Sequence, residues 1–289
     1  MKLAIGTAQF GLDYGISNRD GQINFAEAKS IIDALRINNI DTIDTAMNYG
    51  ESELILGKIG IDGFKIVTKL PEIDHSIPDK LSWAKNMILK SLDSLNTHSI
   101  SCILFHKSSD IFISNLKIYE YLLSLKESGI IDKIGVSIYD PSELDLILDK
   151  NIKIDIVQTP FSIFDRRLKS TGWLKKLSSM NVEVHARSIF LQGLILQKRA
   201  DRNKYFNKWD KVFSLYEEWL NDTNQSKLSA AVNYVYSEKD ISKVIVGVQS
   251  STQLYEILGS LTTNNYKAPP KTLEVDDLSL INPTHWNLK

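Results

Sequence analysis

The chain has 289 residues, of which 43% are hydrophobic, and its 34 basic and 35 acidic side chains give a formal net charge of -1. This length supplies a core for two ordinary domains or for one large α/β barrel. The balanced charge gives no electrostatic basis for binding nucleic acid or an anionic membrane. The single cysteine, Cys102, excludes an internal disulfide framework and a cysteine zinc cluster. No apolar run approaches the ~20 residues of a membrane span, and the N-terminus is not a convincing signal peptide, so we expect a cytoplasmic protein.

Short apolar runs rich in β-forming residues recur along the chain, and most of them lack strict polar alternation. This pattern is typical of strands that are buried on both faces. We count eight such runs, in the order KLAIGTA, DTIDTA, FKIVTKL, SCILFHK, KIGVSIY, DIVQTPF, VEVHARS and KVIVGVQ.

Segments with helical spacing lie between these runs, among them FAEAKSIIDALRINN, KLSWAKNMILKSLDSLN, NLKIYEYLLSLKESG and PSELDLILDKN. Alternation of strands and helices indicates parallel βαβ units. Because eight units follow one another without a linker, we predict one (β/α)8 TIM barrel that forms a single domain over residues 1–289. The longest connection, about residues 188–225, follows strand seven and is predicted to contain its own helix and to cover a site. One more short helix is expected after Pro269.

Polar residues stand at the predicted C-terminal ends of the strands, where the chemistry of a TIM barrel takes place. Closing the barrel would bring them onto one rim although they are far apart in the chain. They are Asp44, Lys69, His106, Ser137, Gln158 and Arg187, and Tyr49 lies just beyond the second strand.

Three of these side chains suggest acid catalysis. Lys69 follows Ile66 and Val67 and would be partly desolvated, and Asp44 on the adjacent strand is its natural counter-ion. A lysine near a tyrosine favours the phenolate, so we expect Lys69 to lower the pKa of Tyr49 from its ordinary value of ~10. Tyr49 would then donate a proton to a developing alkoxide.

A neutral imidazole at His106 would orient the carbonyl for this step. These residues resemble the Asp-Tyr-Lys-His tetrad of the aldo-keto reductase family, with Asp44 and Tyr49 in DTAMNYGESE, Lys69 in VTKL and His106 in ILFHK. The resemblance extends from AIGTAQFG to VIVGVQSSTQLYEIL. It implies hydride transfer between a nicotinamide cofactor and a small-molecule carbonyl substrate, with Tyr49 as the acid. The GTAQFGLDYGISN opening and Arg187 suggest a less common branch that acts on a sugar-derived carbonyl.

The resemblance also implies a set of cofactor-binding positions, some of which depart from the family pattern. The nicotinamide amide contacts fall at Ser137 and Gln158, but the asparagine that commonly follows the serine is Ile138. Arg187 stands where the family often stacks a tyrosine on the nicotinamide, and a guanidinium can also stack on a ring. The full set is Thr7, Asp44, Ser137, Gln158, Arg187, Gly247, Gln249 and Gln253.

The phosphate-binding end of this set lacks charged residues. Gly247 and Gln253 stand where a lysine and an arginine commonly bind the 2′-phosphate of NADP. The missing cations make NADH less easy to exclude, so we expect NADPH as the cofactor with NADH as the alternative. The helix N-terminus after Gly247 can still offer backbone amides to phosphate. Ser250-x-x-Gln253 fits a capping box equally well.

Two other classes of function stay open. One is a Schiff-base aldolase or lyase with Lys69 as the nucleophile, which gives no reason for the Asp44–Tyr49 spacing. The other is a non-catalytic regulatory module that keeps the barrel and binds a nucleotide. The charge run QKRADRNK is interpreted as a solvated loop, with a grip on an anionic substrate as the alternative. No metal is expected, because the other histidines, His75, His98, His185 and His285, are not paired at ligand spacing. The sequence carries no signal for oligomeric state.

Overall fold

Eight parallel strands form a closed barrel in chain order, in a computed structural model that describes residues 1–16, 18, 21–261 and 266–288. Ser17 of the GTAQFGLDYGISN opening and Lys289 lie outside the described residues. The strands are β1 (Leu3–Gly6), β2 (Thr42–Asp44), β3 (Lys65–Leu70), β4 (Ile100–Phe105), β5 (Ile131–Ser137), β6 (Ile156–Pro160), β7 (Glu183–Arg187) and β8 (Lys243–Gly247). Each overlaps one of the eight apolar runs, so the predicted (β/α)8 barrel is confirmed.

Helices surround the barrel, and the four helical segments named from the sequence overlap α2, α4, α5 and α6. The α-helices are α1 (Ala8–Gly11), α2 (Phe25–Ile37), α3 (Ser52–Ile59), α4 (Lys80–Leu95), α5 (Lys117–Glu127), α6 (Glu143–Asp149), α7 (Arg167–Ser170), α8 (Trp173–Ser179), α9 (Asp210–Thr223), α10 (Lys227–Ser237), α11 (Ser251–Ser260) and α12 (Leu278–Ile281). Shorter 3₁₀ helices span Ser108–Leu116, Leu194–Leu196, Arg199–Asp201, Lys204–Trp209, Lys271–Leu273 and Pro283–His285. Among the described helices, none combines the length and the apolar character needed to cross a membrane.

Helix α2 shows how local sequence fixes these elements. Asn24 caps its N-terminus, because its side chain accepts a hydrogen bond from the amide of Glu27. Residues three and four positions apart face the barrel and are fully buried, as Ala28, Ile31 and Ile32 show. The helix therefore begins at a polar cap and is held by an apolar stripe.

The strand register places the polar strand ends at one rim. Gly6 lies opposite Asp44 on one side and Gly247 on the other. Ser137 lies opposite Gln158 in the same way. Because all the strands are parallel, their C-terminal ends meet there, and loop residues that follow the strands join the same rim.

The long connection after β7 contains three 3₁₀ helices followed by α9, which is the helix predicted within it. The rings of Tyr205, Phe206 and Trp209 pack together, and Phe206 contacts Trp286 near the C-terminus. Tyr205 also donates a hydrogen bond to the Ser279 carbonyl. These aromatic residues therefore attach the connection to the C-terminal segment. That segment contains α12, the short helix expected after Pro269.

Candidate active site

A buried ion pair lies at the ends of β2 and β3. The Nζ of Lys69 is 2.7 Å from Oδ2 of Asp44, and their side chains are 1% and 7% exposed. The same Nζ donates to the carbonyl of Thr45 at 2.7 Å. Burial lowers the pKa of Lys69, whereas Asp44 raises it. Two acceptors thus fix the ammonium group inside the barrel mouth.

Asp44 is held on both of its oxygens. While Oδ2 accepts from Lys69, Oδ1 accepts a hydrogen bond of 2.6 Å from Nε2 of Gln158 on β6. The backbone carbonyl of Asp44 accepts from the Thr7 hydroxyl at 3.1 Å, and that hydroxyl accepts in turn from Ser52 at 2.8 Å. A buried carboxylate needs such partners, because an unpaired charge there would be strongly destabilising. Strands β3 and β6 therefore hold the carboxylate itself, and Thr7 holds the backbone that carries it.

Tyr49 lies in the turn between β2 and α3, where two glycines allow a close backbone approach. A Cβ on Gly11 would lie 1.8 Å from the Tyr49 carbonyl oxygen. A Cβ on Gly50 would lie 2.2 Å from the Gly11 carbonyl oxygen, and the φ of Gly50 is +55°. The two glycines let the turn that carries the phenol pack directly against the segment after β1.

The structure brings Tyr49 together with the buried pair and with His106. The Nζ of Lys69 lies 5.1 Å from the centroid of the Tyr49 ring. The His106 ring, just after β4, lies 6.0 Å from it at an interplanar angle of 74°. No described residue forms a hydrogen bond with the Tyr49 hydroxyl. All four residues of the predicted tetrad thus share one small region of the rim.

The expectation that Lys69 lowers the pKa of Tyr49 is wrong for this arrangement. Burial and the charge of Asp44 raise the pKa of the phenol well above its ordinary value, and Arg187 opposes them only in part. The ammonium group of Lys69 is committed to Asp44 and to the Thr45 carbonyl, so its charge is largely compensated. The phenol therefore keeps its proton at physiological pH.

His106 is neutral, as the sequence predicted. Burial lowers the pKa of its imidazole to about 3, and the charges of Lys69 and Arg187 add to this effect. A neutral imidazole has one N–H donor and one acceptor nitrogen. It can therefore donate a hydrogen bond to a carbonyl oxygen without carrying a charge.

The remaining strand-end positions line the rim from β5 to β7. Ser137 and Gln158 are both buried and lie opposite each other in the register. The backbone of Ile138 is occupied, because its amide donates to the Gln158 carbonyl at 2.9 Å and its carbonyl accepts from Arg187 at 3.0 Å. The guanidinium of Arg187 lies over the ring of Tyr139, 4.3 Å from the centroid.

The first turn of α11 differs from the prediction that its amides are available for phosphate. The Ser250 hydroxyl accepts from the amide of Gln253, and Oε1 of Gln253 accepts from the amide of Gln249 at 2.9 Å. This is the capping arrangement that the sequence offered as the alternative for Gln253. The amide of Ser251 donates to Oε1 of Glu27 at 2.6 Å. The chain itself therefore engages these three amides.

Sequence reasoning missed Glu27. The pattern Asn24-x-x-Glu27 reads as a local capping box, and Asn24 does cap α2 through the amide of Glu27. The Glu27 carboxylate instead reaches α11, which is 224 positions further along the chain. Only the barrel closure that places β8 beside β1 brings α2 and α11 together.

The donor set at this end of the rim fits a nucleotide. Nε2 of Gln249 is buried and has no hydrogen-bond partner among the described residues. The side-chain amide of Gln9 lies beside Gly247, where a larger residue would not fit: a Cβ at this position would lie 2.9 Å from Nε2 of Gln9. Uncharged amides of this kind suit the hydroxyl and carbonyl groups of a nucleoside. In the described part of the chain, no three histidine, cysteine or acidic side chains are grouped so that they could hold a metal ion.

Comparison with known proteins identifies the family. The sequence model of the aldo/keto reductase family matches residues 2–268. An aldo-keto reductase from Bacillus halodurans in its holo form has a similar structure, with a TM-score of 0.75 and 20% identity over 92% of this chain and 88% of that one. The glycerol dehydrogenase of Gluconobacter oxydans superimposes with a TM-score of 0.71 and 21% identity, over 90% and 86% of the two chains. The comparison with curated proteins gives no match.

The chain therefore belongs to the aldo/keto reductase family. Membership makes it an oxidoreductase of a family that acts on small carbonyl compounds with nicotinamide cofactors. At 20–21% identity the two structural neighbours establish the shared fold.

Proposed function

We propose that this protein reduces an aldehyde or ketone, of the sugar-derived class, to the alcohol with NADPH or NADH, and that Tyr49 is the general acid. The observation that carries the proposal is the placement of a protonated phenol beside the buried Lys69–Asp44 pair and the neutral His106 ring. A proton donor and an uncharged hydrogen-bond donor at one point of a barrel rim suit an oxygen that becomes negative during the reaction.

Each of the four side chains has a definite task in this proposal. Tyr49 holds the proton and donates it to the alkoxide as the charge develops. His106 donates a hydrogen bond to the carbonyl oxygen and fixes its direction. Lys69, paired with Asp44, lies 5.1 Å from the centroid of the phenol ring and helps to fix the position of that ring in the barrel mouth. Asp44 orients Lys69 and keeps it charged within the barrel.

When bound, the nicotinamide cofactor supplies the hydride. Ser137 and Gln158 would hold its carboxamide, and Arg187 would lie beside its ring. The other predicted cofactor contacts, Thr7, Asp44, Gly247, Gln249 and Gln253, would lie along its remaining length. We propose only modest discrimination between NADPH and NADH, because no cation stands at Gly247 or Gln253 and Glu27 places a carboxylate on the amide of Ser251.

The two other functions receive less support from the geometry. A Schiff-base mechanism needs Lys69 to reach a substrate, but its side chain is 1% exposed and its Nζ is bound to two acceptors. A purely regulatory module would not require Asp44 to be held on both oxygens next to an available phenol. We further propose that the chain forms one domain and acts in the cytoplasm.

The test is a turnover assay on purified protein. Aldehydes, ketones and sugars would be offered with NADPH and with NADH, and loss of the reduced cofactor would be followed by absorbance. Reduction of a carbonyl by the wild type, and its collapse in Tyr49→Phe, is the expected result. Absence of turnover with both cofactors would favour the regulatory module, and a borohydride-trapped adduct on Lys69 would favour the lyase.

A further inference from the structure

The charges in the mouth of the barrel do not cancel. Lys69 is paired with Asp44, the phenol of Tyr49 is protonated, and His106 is neutral because its pKa is about 3. Arg187 remains as a positive charge, and its field reaches the side chains of Tyr49 and His106. Arg187 is therefore a cation on the same rim as the tetrad, and none of the charges just described compensates it.

Arg187 has no acidic partner within salt-bridge distance among residues 1–16, 18, 21–261 and 266–288. Asp165 is the carboxylate whose pKa reflects the charge of Arg187, but its two oxygens accept from Nε and Nη2 of Arg167 at 2.9 and 2.8 Å. Arg167 in turn contacts Asp140 at 2.8 Å. Asp165, Arg167 and Asp140 thus pair with one another, and Arg187 takes no part in these ion pairs.

The guanidinium also keeps unused donors. Of its five N–H groups, one on Nη2 donates to the Ile138 carbonyl at 3.0 Å and one on Nη1 donates to the Ser188 hydroxyl at 3.2 Å. The ring of Tyr139 supports one face of the group. A half-buried guanidinium held in this way is already ordered, and its planar fork matches the oxygens of a carboxylate or a phosphate.

We propose that Arg187 binds an oxyanion of the substrate, so that the protein acts on carbonyl compounds that also carry a carboxylate or a phosphate group. The proposal rests on the reductase function proposed above and narrows its substrate class. A neutral carbonyl compound leaves the cation in the mouth without a partner, whereas an anionic compound supplies one in a partly desolvated place where a charge pair is favourable. Arg187 is thus a specificity-determining residue.

The test compares matched substrate pairs. Succinic semialdehyde against butanal examines a carboxylate, and glyceraldehyde 3-phosphate against glyceraldehyde examines a phosphate. For the wild type we expect a higher kcat/KM for the charged member of at least one pair, and the pair that shows it identifies the oxyanion. In Arg187→Met the ratio within that pair should fall roughly ten- to hundredfold, because a charge-assisted contact is lost.

Two further variants test whether the preference depends on the positive charge alone, on the guanidinium group or on the position of the cation. Arg187→Lys keeps the positive charge but loses the planar fork, so it should retain only part of the preference. Lys198→Met removes an exposed cation from the QKRADRNK run of the same connection and should leave the ratio unchanged. A ratio that falls in Lys198→Met instead, or that stays unchanged in Arg187→Met, would overturn the proposal. Weaker nucleotide binding in Arg187→Met with no change in the ratio would assign the guanidinium to the cofactor.

A binding measurement keeps this inference separate from the reductase proposal. In calorimetric titrations with butyrate and with inorganic phosphate, at least one of the two anions should bind to the wild type, and this binding should be lost in Arg187→Met. If no substrate is turned over but this difference is found, the reductase proposal fails and the oxyanion site stands. If carbonyl compounds are reduced without any preference for the charged members, the oxyanion site fails and the reductase proposal stands.

Discussion

The carboxylate of Glu27 accepts hydrogen bonds from both the backbone amide and the hydroxyl of Ser251, at 2.6 and 3.0 Å. Helix α2 thereby supplies the anion at the first turn of α11, where the positive end of the helix dipole favours negative charge. A phosphate group at this turn would have to approach a carboxylate that already occupies the favourable position.

We therefore expect Glu27→Gln to raise the affinity for NADPH relative to NADH by roughly tenfold or more, because a like-charge repulsion is removed. Fluorescence titration with both reduced cofactors measures the ratio of dissociation constants. Asp33→Asn removes an exposed carboxylate from the same helix and serves as the control, since Asp33 pairs with Lys29 and Arg36 on α2 itself. A wild-type preference for NADPH beyond about a thousandfold, or about 4 kcal/mol, would show that a cation elsewhere binds the phosphate.

Tyr49→Phe should abolish carbonyl reduction and leave cofactor affinity nearly unchanged. The substitution removes only the phenolic proton, and general acid catalysis contributes roughly 10²–10⁴-fold to a rate. Steady-state kinetics and a cofactor titration on the same preparation give both quantities. Tyr121→Phe, on α5 and away from the rim, should behave as the wild type. Turnover by Tyr49→Phe within a few-fold of the wild type would remove Tyr49 from the mechanism.

Lys69→Met should reduce both activity and stability. The loss of the ammonium group leaves the Asp44 carboxylate buried without its cation, which costs about 3–5 kcal/mol of unfolding free energy. The double variant Asp44→Asn/Lys69→Met should recover part of that loss, because no charge is then left unpaired. Lys29→Met breaks an exposed pair with Asp33 and should cost less than about 1 kcal/mol. Urea denaturation compares the four proteins, and equal losses in both single variants would contradict the buried-pair argument.

The titration of His106 should appear in the pH dependence of stability. Its pKa is about 3 in the folded protein against ~6.5 in an unfolded chain, so the unfolded state binds the extra proton between these values. Stability should therefore rise with pH across this window and be lost as the pH falls through it, by at most about 3 kcal/mol between pH 7 and pH 4. The unfolding free energy of the wild type should therefore fall relative to that of His106→Gln as the pH is lowered over this range. Parallel curves would contradict the lowered pKa.

The barrel and the cluster at its rim could be predicted from the sequence because both depend on short-range patterns. Apolar runs and helical spacing define the eight units, and the strand-end positions of Asp44 and Lys69 follow from them. Their contact then needs only parallel pairing of β2 with β3. The same reasoning could not foresee that Gln158 takes the second oxygen of Asp44, because that contact crosses the barrel interior.

Electrostatic properties were predicted less well than positions. The pKa of Tyr49 depends on how far burial and Asp44 outweigh the nearby cations, and this balance requires distances that a sequence does not contain. The contact of Glu27 could not be predicted for a related reason, because its partner Ser251 lies on the helix that follows the last strand. In both cases the sequence identifies the residue but not the groups that surround it in the folded chain.

In the connection after β7, the Tyr205 hydroxyl donates a hydrogen bond to the Ser279 carbonyl, 74 positions further along the chain. Nε1 of Trp209 donates to Oδ2 of the Asp277 carboxylate at 3.1 Å. Two segments that hold each other in this manner open together, since neither keeps its buried aromatic contacts once the other has left. Their amide hydrogens would then exchange with solvent at a common rate, as one cooperative unit. The C-terminal segment would thus determine how often the longest connection of the barrel opens to solvent.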